Sequence, residues 1–250
     1  MGGVPLGPLP DLPSNATTSA NTSSPTGVSE EVRTTFLTEF YTERAKFATT
    51  PASEIRGAGR ATKANPNGED ELWWLHHGPE MLQRWEDFRN NSGWSVWLTP
   101  DGIPAIELEM VEQFEDQLLK VIIDRVFQTE TGGLVIFDLK SGSRTPAGDL
   151  QLGFGAAVLY LRYGVRVVGG TYWMAREGQC EPVVPLTIWS PKLTAHYARQ
   201  LQAARREGIY LPHVTNMCRA CGVRDYCLAV GGKKSHLDPD YKYTKFEEDA

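Results

Sequence analysis

The sequence lacks several features that would place it in a common class of protein. It contains no run of about 20 apolar residues, the length a helix needs to cross a bilayer, so we expect no membrane partner. It has only four cysteines, and three of them fall between Cys218 and Cys227, which does not resemble the disulfide framework of a secreted protein. We therefore expect a reducing, cytoplasmic location.

A general excess of basic residues is also absent. The formal net charge is −6 and the isoelectric point is about 5.5. Phosphate groups are normally bound by clustered lysine and arginine side chains. Any contact with nucleic acid must therefore come from a local basic patch rather than from the overall charge.

The chain is long enough for one domain with a substantial core, because it has 250 residues of which 41% are hydrophobic. Residues 1–28 are mostly Pro, Ser, Thr, Asn and Gly and lack the basic start and apolar core of a signal peptide, so we expect a disordered leader. We predict a globular domain over residues 29–212. A cysteine-containing segment at 213–232 and a polar tail at 233–250 follow it.

The stretch between Lys120 and Gly142 carries acid and base together. Its two β-branched runs, Val121–Phe127 and Leu134–Lys140, predict a hairpin with Gly132 and Gly133 in the turn. Side chains alternate along a strand, so Asp138 and Lys140 are expected on the same side. Asp124 interrupts the other strand, where a buried charge costs several kcal/mol unless it is paired or bound to a metal.

Two interpretations of these charges are open on spacing alone. The first is a divalent-metal site in which Asp124 and Asp138 are ligands of Mg²⁺ and Lys140 lies beside an attacking water. The second is a buried salt bridge between Lys140 and one of the aspartates, or the exposed face of an antiparallel sheet.

Elsewhere the pattern predicts helices and further strands. Expected helices cover residues 29–47, 69–90 with a possible break at 76–79, 148–163 and 191–207, and expected strands cover 105–114, 165–175 and 181–189. With the central hairpin, this order predicts an α/β fold.

The motifs around the two aspartates resemble those of a known family. IIDRV at 122–126 and VIFDLKSG at 135–142 are similar to the GxIDRh and hhDxKSG motifs of RecB-like nucleases in the PD-(D/E)xK superfamily. The chain looks most like the CRISPR-associated-type exonucleases carried by bacteriophages. The resemblance implies a restriction-endonuclease-like core over residues 29–212, with a central mixed sheet flanked by helices.

The same resemblance implies an activity and a set of site residues. The activity is Mg²⁺- or Mn²⁺-dependent exonuclease cleavage of DNA in phage recombination, repair or processing, with recombination or CRISPR-adaptation proteins as possible partners. The implied catalytic and metal-binding residues are Asp124, Asp138, Lys140, Gln151, the backbone carbonyl of Leu139 and, as further ligands, His77 or His76 and Glu107. The implied DNA contacts are Arg125, Arg144 and Tyr160.

The chain departs from the family pattern in one motif. The family's QxxxY motif would begin at Gln151 and end at position 155, which is Gly155 here.

An alternative to an enzyme is a non-catalytic DNA- or protein-binding module that retains the fold. Retention of both aspartates and the lysine favours the enzyme.

The cysteines form a CxxCx₅C pattern at Cys218, Cys221 and Cys227. Two thiolates separated by two residues can reach one metal ion. The pattern resembles the C-terminal triplet of RecB-like nucleases that hold a 4Fe-4S cluster, but those nucleases supply the fourth cysteine near the N-terminus and this chain has none before Cys180. A zinc site completed by His213 or His236, or a lost cluster, are the alternatives.

Overall fold

The structure is a computed structural model that describes residues 27–49, 68–142, 145–146, 148–209, 214, 218 and 221–234. The helices in this part of the chain are α1 (Glu30–Ala45), α2 (Glu71–Asn91), α3 (Leu150–Tyr163) and α4 (Pro191–Arg206). The strands are β1 (Ser95–Val96), β2 (Ile106–Phe114), β3 (Gln117–Gln128), β4 (Leu134–Lys140), β5 (Gly169–Met174) and β6 (Gln179–Cys180). The predicted leader and most of the predicted tail lie outside the described residues.

The central sheet is mixed, as the sequence predicts. Its strand order is β1-β3-β4-β5-β6, with β2 also paired to β3. The strands β3 and β4 form the predicted antiparallel hairpin, whereas β4 and β5 are parallel and are connected through α3. A parallel pair needs such a crossover connection. The predicted α/β fold with a central mixed sheet flanked by helices is confirmed.

Helix α1 begins where the sequence predicts it. The Oγ of Ser29 accepts a hydrogen bond from the backbone amide of Val32 at 3.2 Å, which satisfies one of the unpaired amides of the first turn. Glu30 and Glu31 then place negative charge at the positive end of the helix dipole.

Helix α2 runs unbroken through Pro79, so the predicted break at residues 76–79 is wrong. A proline inside a helix typically costs about 3 kcal/mol. Packing offsets this cost, because both Gly78 and Pro79 are buried and the ring of Phe36 from α1 lies against Gly78. A Cβ atom at position 78 would lie 2.0 Å from that ring, so the glycine is what allows the two helices to approach.

Strand β3 is longer than predicted, because it begins at Gln117, and it also forms a hairpin with β2 that the sequence analysis did not predict. The two strands are joined by Glu115 and Asp116, and Glu115 has a φ of 52°, which tight two-residue hairpin turns require.

After β5 the predicted strand at 181–189 is wrong. Only Gln179–Cys180 pairs as β6, followed by an isolated bridge between Val184 and Gly170. Pro182 and Pro185 explain the difference, because a proline has no amide hydrogen to donate to a strand ladder.

The two faces of the sheet bury separate apolar clusters. Trp85 and Phe88 of α2 pack with Phe127, Phe137 and Trp173 on one face. The other face is covered by α3, in a cluster whose members include Ile123, Val126, Ile136, Leu152, Leu159 and Tyr172. Alternation along β4 from Ile136 therefore directs Asp138 and Lys140 to the face that α3 covers.

The chain divides into two compact units, residues 1–198 and 199–250. In the second unit, Arg224–Tyr226 and Leu228–Val230 form short 3₁₀ turns. The predicted boundaries at residues 28, 212 and 232 stay predictions. No helix within the described ranges is both long and apolar enough to cross a membrane.

Candidate active site

The two aspartates of the central hairpin lie opposite each other. The ladder between β3 and β4 pairs Gln128 with Leu134 and ends with Arg125 and Phe137. One further step of the same register is Asp124 with Asp138. The strands separate at this step, while β4 continues to Lys140 alongside β5. The end of the β3–β4 ladder therefore brings two carboxylates together.

A hydrogen bond fixes the first of these carboxylates. The backbone amide of Leu139 donates to the Oδ2 of Asp124 at 2.8 Å. The Asp124 side chain thus accepts the hydrogen bond that a backbone carbonyl of β3 would accept if the ladder continued. Among the described residues, the hydrogen bond from Leu139 engages Oδ2 of Asp124 and leaves Oδ1 able to accept a ligand.

Asp138 is almost fully buried, with 3% of its surface exposed. Burial raises the pKa of its carboxyl group, the ion pair with Lys140 opposes that shift, and the nearby charges of Asp124 and Glu107 add to it. The ammonium of Lys140 contacts its Oδ2 as an ion pair. That oxygen accepts no well-oriented hydrogen bond within the described part of the chain.

Lys140 lies between Asp138 and the first turn of α3. Its Nζ donates to the Oε1 of Gln151 at 3.3 Å and lies 5.9 Å from the centre of the Tyr172 ring. The structure thus brings Lys140 together with Asp138 and Gln151, and the buried salt bridge of the second interpretation is present. The catalytic roles of these residues stay predictions. The ammonium is held from two sides and is still partly exposed.

Two residues that the sequence analysis did not identify hold the start of α3. The hydroxyl of Tyr172 donates to the carbonyl of Gly148 at 2.7 Å, and the Nε1 of Trp189 donates to the Oδ2 of Asp149 at 3.0 Å. Burial, with the charges of Asp138 and Asp149, raises the pKa of Tyr172 to about 12. The sequence signal for this role was a tyrosine, an aromatic residue with a polar hydroxyl, within the apolar strand β5. In the sheet, Tyr172 pairs in register with Asp138.

The donor set suits a hard divalent cation. A buried carboxylate costs free energy, and in the described residues the ion pair with Lys140 offsets this cost for Asp138 only in part, because the pKa of Asp138 is still raised by burial; a bound cation would offset more of it. Mg²⁺ commonly binds one or two carboxylates and keeps several of its waters. Asp124 and Asp138 can supply these two carboxylates. Across the residues described, no three His, Cys, Asp or Glu side chains converge as a metal-binding group. The Leu139 carbonyl, which the family resemblance implies as a further ligand, stays a prediction.

Glu107 stands in register with Asp124 on the neighbouring strand, between the pairs Ile106–Arg125 and Leu108–Ile123. Its φ of 46° is unusual for a non-glycine residue inside a strand, and such strain often marks functional sites. Its Oε1 accepts from the Nη1 of Arg125 at 3.3 Å, and the residue is exposed. The structure thus places Glu107 beside the site, with its carboxylate turned to Arg125.

The structure does not bring His77 together with the aspartates. Its ring contacts Trp73 at 4.4 Å and His76 at 4.7 Å, and its Nδ1 lies 3.7 Å from Glu80. The body of α2 packs on the face of the sheet opposite Asp138. Participation of His77 or His76 in metal binding stays a prediction.

The predicted DNA contacts differ in their surroundings. Arg125 is close to the aspartates, because its Nη1 also donates to the backbone carbonyl of Asp124 at 2.5 Å. Tyr160 lies nine residues beyond Gln151, about 13 Å along α3, with the guanidinium of Arg166 over its ring at 4.8 Å. Arg144 lies outside the described residues.

The cysteines do not form a metal-binding group among the residues that the structure describes. Cys221 is exposed, Cys218 and Cys227 are half-buried, and none of the four cysteines is in a disulfide. Cys180 is a core residue of the α2 face, and burial raises the pKa of its thiol. A bound cluster at the C-terminal triplet stays a prediction, and its proposed histidine partners, His213 and His236, lie outside the described residues.

Comparison with known proteins agrees with this geometry. A family profile of the PD-(D/E)XK nuclease superfamily matches residues 35–228. The chain is 27% identical over 190 residues to the Gene 69 protein of Mycobacterium phage D29, covering 68% of this chain and 69% of that protein. It is 27% identical over 187 residues to the Gene 69 protein of Mycobacterium phage L5, covering 64% of each.

The matched residues include both aspartates, the lysine and the glutamine of the site described above. The mixed sheet with helices on both faces is the architecture expected of these nucleases. From the extent of the match and the fold together, the chain belongs to the PD-(D/E)XK nuclease superfamily.

Proposed function

We propose that this chain is a metal-dependent exonuclease that hydrolyses the phosphodiester bonds of DNA. Membership of the superfamily implies nuclease activity, and its members generally use Mg²⁺ or Mn²⁺. One observation carries the proposal for this chain. The β3–β4 register brings Asp124 and Asp138 together where the ladder ends, and the Lys140 ammonium contacts Asp138 and Gln151.

The side chains have distinct roles in the proposed reaction. Asp124 and Asp138, with the Leu139 carbonyl, would hold the cation, which when bound stabilises negative charge on the phosphate. Lys140 orients the attacking water and stabilises charge as it develops, because its ammonium is fixed in advance by Asp138 and Gln151.

The proposed reaction is hydrolysis. The oxygen of water forms a new bond to phosphorus and releases a proton. The bond from phosphorus to the leaving oxygen breaks, and that oxygen takes up a proton.

Contacts to the DNA backbone are proposed for three residues. Arg125 is adjacent to Asp124 and can exchange its contact with Glu107 for a phosphate. Tyr160 and Arg144 are proposed on the family resemblance. Such contacts position the strand and read no sequence.

A biological setting is suggested by the similar phage proteins. We propose that the enzyme acts in the cytoplasm of the host on phage DNA, during recombination, repair or end processing. Recombination or CRISPR-adaptation proteins would be its partners.

The test uses purified full-length protein and end-labelled linear DNA, with Mg²⁺, with Mn²⁺ or with EDTA. We expect metal-dependent release of label from linear DNA, with covalently closed circular DNA resistant because it has no end. Asp124→Ala and Asp138→Ala should abolish cleavage without unfolding the protein. Asp101→Ala is the control, since Asp101 lies exposed in a turn.

The outcomes separate the alternatives. Cutting of closed circles would make the chain an endonuclease. DNA binding without cleavage under any metal would favour a non-catalytic binding module. Wild-type activity in either aspartate variant would overturn the site assignment.

For the cysteines we propose a structural metal site, as a 4Fe-4S cluster or as zinc. Thiolate ligation contributes folding free energy directly. We expect Cys221→Ser to lower the melting temperature before it alters cleavage. Visible absorbance of the purified protein would indicate iron–sulfur, and stoichiometric zinc in a colourless protein would indicate the other site. Protein with neither metal, and an unchanged melting temperature in the variant, would contradict both.

A further inference from the structure

Arg176, in the turn between β5 and β6, connects three separate parts of the first unit. Its Nε donates to the backbone carbonyl of Ser141 at 2.6 Å. Its Nη2 donates to the Oε2 of Glu69 at 2.7 Å, just ahead of α2. Its guanidinium also lies over the ring of Trp73, 4.8 Å from the ring centre. The residue that it holds, Ser141, directly follows Lys140.

The end of β4 needs such a support. The backbone ladder to β3 has ended at Phe137, so along residues 138–140 the backbone ladder continues only to β5, with the Asp124 side chain bonded to the Leu139 amide on the other edge. The ladder to β5 ends with Lys140 and Met174, followed by one bond from the amide of Ala175 to the carbonyl of Lys140 at 2.9 Å. Beyond this bond the β5 backbone turns away from β4, and the Arg176 side chain supplies the next hydrogen bond, to the carbonyl of Ser141.

Arg176 is itself held in place. Its side chain is 18% exposed and that of Glu69 is 12% exposed, so their ion pair is largely shielded from water. Its backbone carbonyl accepts from the Nη1 of Arg84 at 2.9 Å. A guanidinium can donate in two directions while it stacks on an indole ring, and a lysine ammonium reproduces neither the planar fork nor the stacking.

We propose that Arg176 is a positioning residue, which fixes the carboxyl end of β4 and thereby the backbone of Lys140. The inference rests on the proposed nuclease function of the same site. In this role Arg176 does not contact the reacting atoms. It acts on Lys140 through its hydrogen bond to the carbonyl of the next residue, Ser141. A displacement of about 1 Å at a catalytic group can cost on the order of a hundredfold in rate.

The kinetic test compares Arg176→Lys with wild type in cleavage of end-labelled DNA. We expect kcat to fall by about 10- to 100-fold with KM changed little, because the charge is kept and the fork is lost. Arg89→Lys is the matched control, since Arg89 lies exposed on α2 in an ion pair with Glu86. Wild-type kcat in a folded Arg176→Lys protein would overturn the inference.

Hydrogen–deuterium exchange tests the positioning independently of activity. In Arg176→Lys, the amides of residues 138–142 should exchange faster than in wild type, while those of β3 stay unchanged. Exchange that is equal in the two proteins, or faster throughout the sheet, would contradict a local positioning role. An inactive wild-type protein would refute the proposed function, and the exchange result would still decide the role of Arg176.

Discussion

The carboxylate of Asp124 is bonded to the backbone of the residue that separates Asp138 from Lys140. The 2.8 Å bond from the Leu139 amide fixes Asp124 relative to both other charged groups of the site. Three residues on two adjacent strands are thereby connected through the backbone of β4. Sites on regular elements are held more precisely than sites on loops.

Replacing Lys140 with arginine should disable the enzyme nearly as fully as replacing it with alanine. The Lys140 ammonium is a compact charge between Asp138 and Gln151, and a planar guanidinium cannot occupy the same point. Loss of one oriented donor typically costs about 10²–10³ in kcat. Single-turnover cleavage of labelled DNA measures the change.

Lys120→Arg is the control for this substitution, because Lys120 on β3 forms an exposed ion pair with Glu109 on β2. It should cleave at the wild-type rate. Full activity in Lys140→Arg would reduce Lys140 to a generic electrostatic contact.

Gly153→Ala should destabilise the protein although alanine is the better helix former. Helix propensity favours alanine by about 1 kcal/mol. A Cβ atom at Gly153 would lie 2.1 Å from the buried indole of Trp189, which must then move and release Asp149. Overpacking of this kind typically costs about 1–3 kcal/mol, and loss of the Trp189–Asp149 hydrogen bond costs about 1 kcal/mol more. After the gain in helix propensity, we expect a net loss of about 1–3 kcal/mol in urea unfolding.

Gly148→Ala is the control for this effect, since a Cβ atom there meets nothing within 4 Å. Its free energy of unfolding should change by less than that of Gly153→Ala. Equal losses in the two variants would show that the contact with Trp189 is unimportant.

Tyr172→Phe should change how stability depends on alkaline pH. The pKa of Tyr172 is raised from 10.0 to about 12 by burial and by the charges of Asp138 and Asp149. The unfolded chain therefore loses the phenol proton first as pH rises, and the stabilisation is complete below pH 10.0 and is lost as pH rises toward about 12. Phenylalanine has no such proton to lose.

The measurement is the difference in free energy of unfolding between wild type and Tyr172→Phe. Wild type should be the more stable protein at neutral pH, because Tyr172 bonds to Gly148, and this advantage should shrink across the interval given. Tyr41→Phe, exposed on α1, serves as the control. An advantage that is constant with pH would contradict the buried position of the phenol.

The sequence alone predicts the centre of the site because the hairpin is local. Once Gly132 and Gly133 set the turn, the register brings Asp124 opposite Asp138, and strand alternation directs Lys140 to the same face. Helix caps such as Ser29 are predictable for the same reason, since their partners are three residues away.

Features that depend on distant contacts could not be predicted in this way. Helix α2 continues through Pro79 because α1 packs on Gly78, and Arg176 meets Ser141 only after the β4–α3–β5 crossover is formed. The missing tyrosine of the QxxxY pattern also has a packing explanation. A Cβ atom at Gly155 would already lie 3.3 Å from Ile123 and Ile136, so α3 is too close to the sheet for a tyrosine.

Asp138→Asn should reveal the cost of the buried charge and its link to metal binding. The folded-state pKa of Asp138 lies above its ordinary value of 3.8, chiefly because of burial. As pH rises, the unfolded chain releases this proton first, so the free energy of unfolding of wild type falls between the unfolded and the folded pKa. Asparagine has no such dependence. The melting temperature of Asp138→Asn relative to wild type should therefore increase from acid to neutral pH, measured without divalent metal.

Addition of Mn²⁺ should then reverse the order at neutral pH, because a cation that binds only the folded protein stabilises it and needs the Asp138 carboxylate. We expect a rise of several degrees in the melting temperature of wild type and none in Asp138→Asn. Asp101→Asn, an exposed turn residue, should behave as wild type in both experiments. An equal Mn²⁺ response in Asp138→Asn would place the cation elsewhere, and a pH-independent difference between the proteins would show that the Asp138 carboxyl titrates as it does in the unfolded chain.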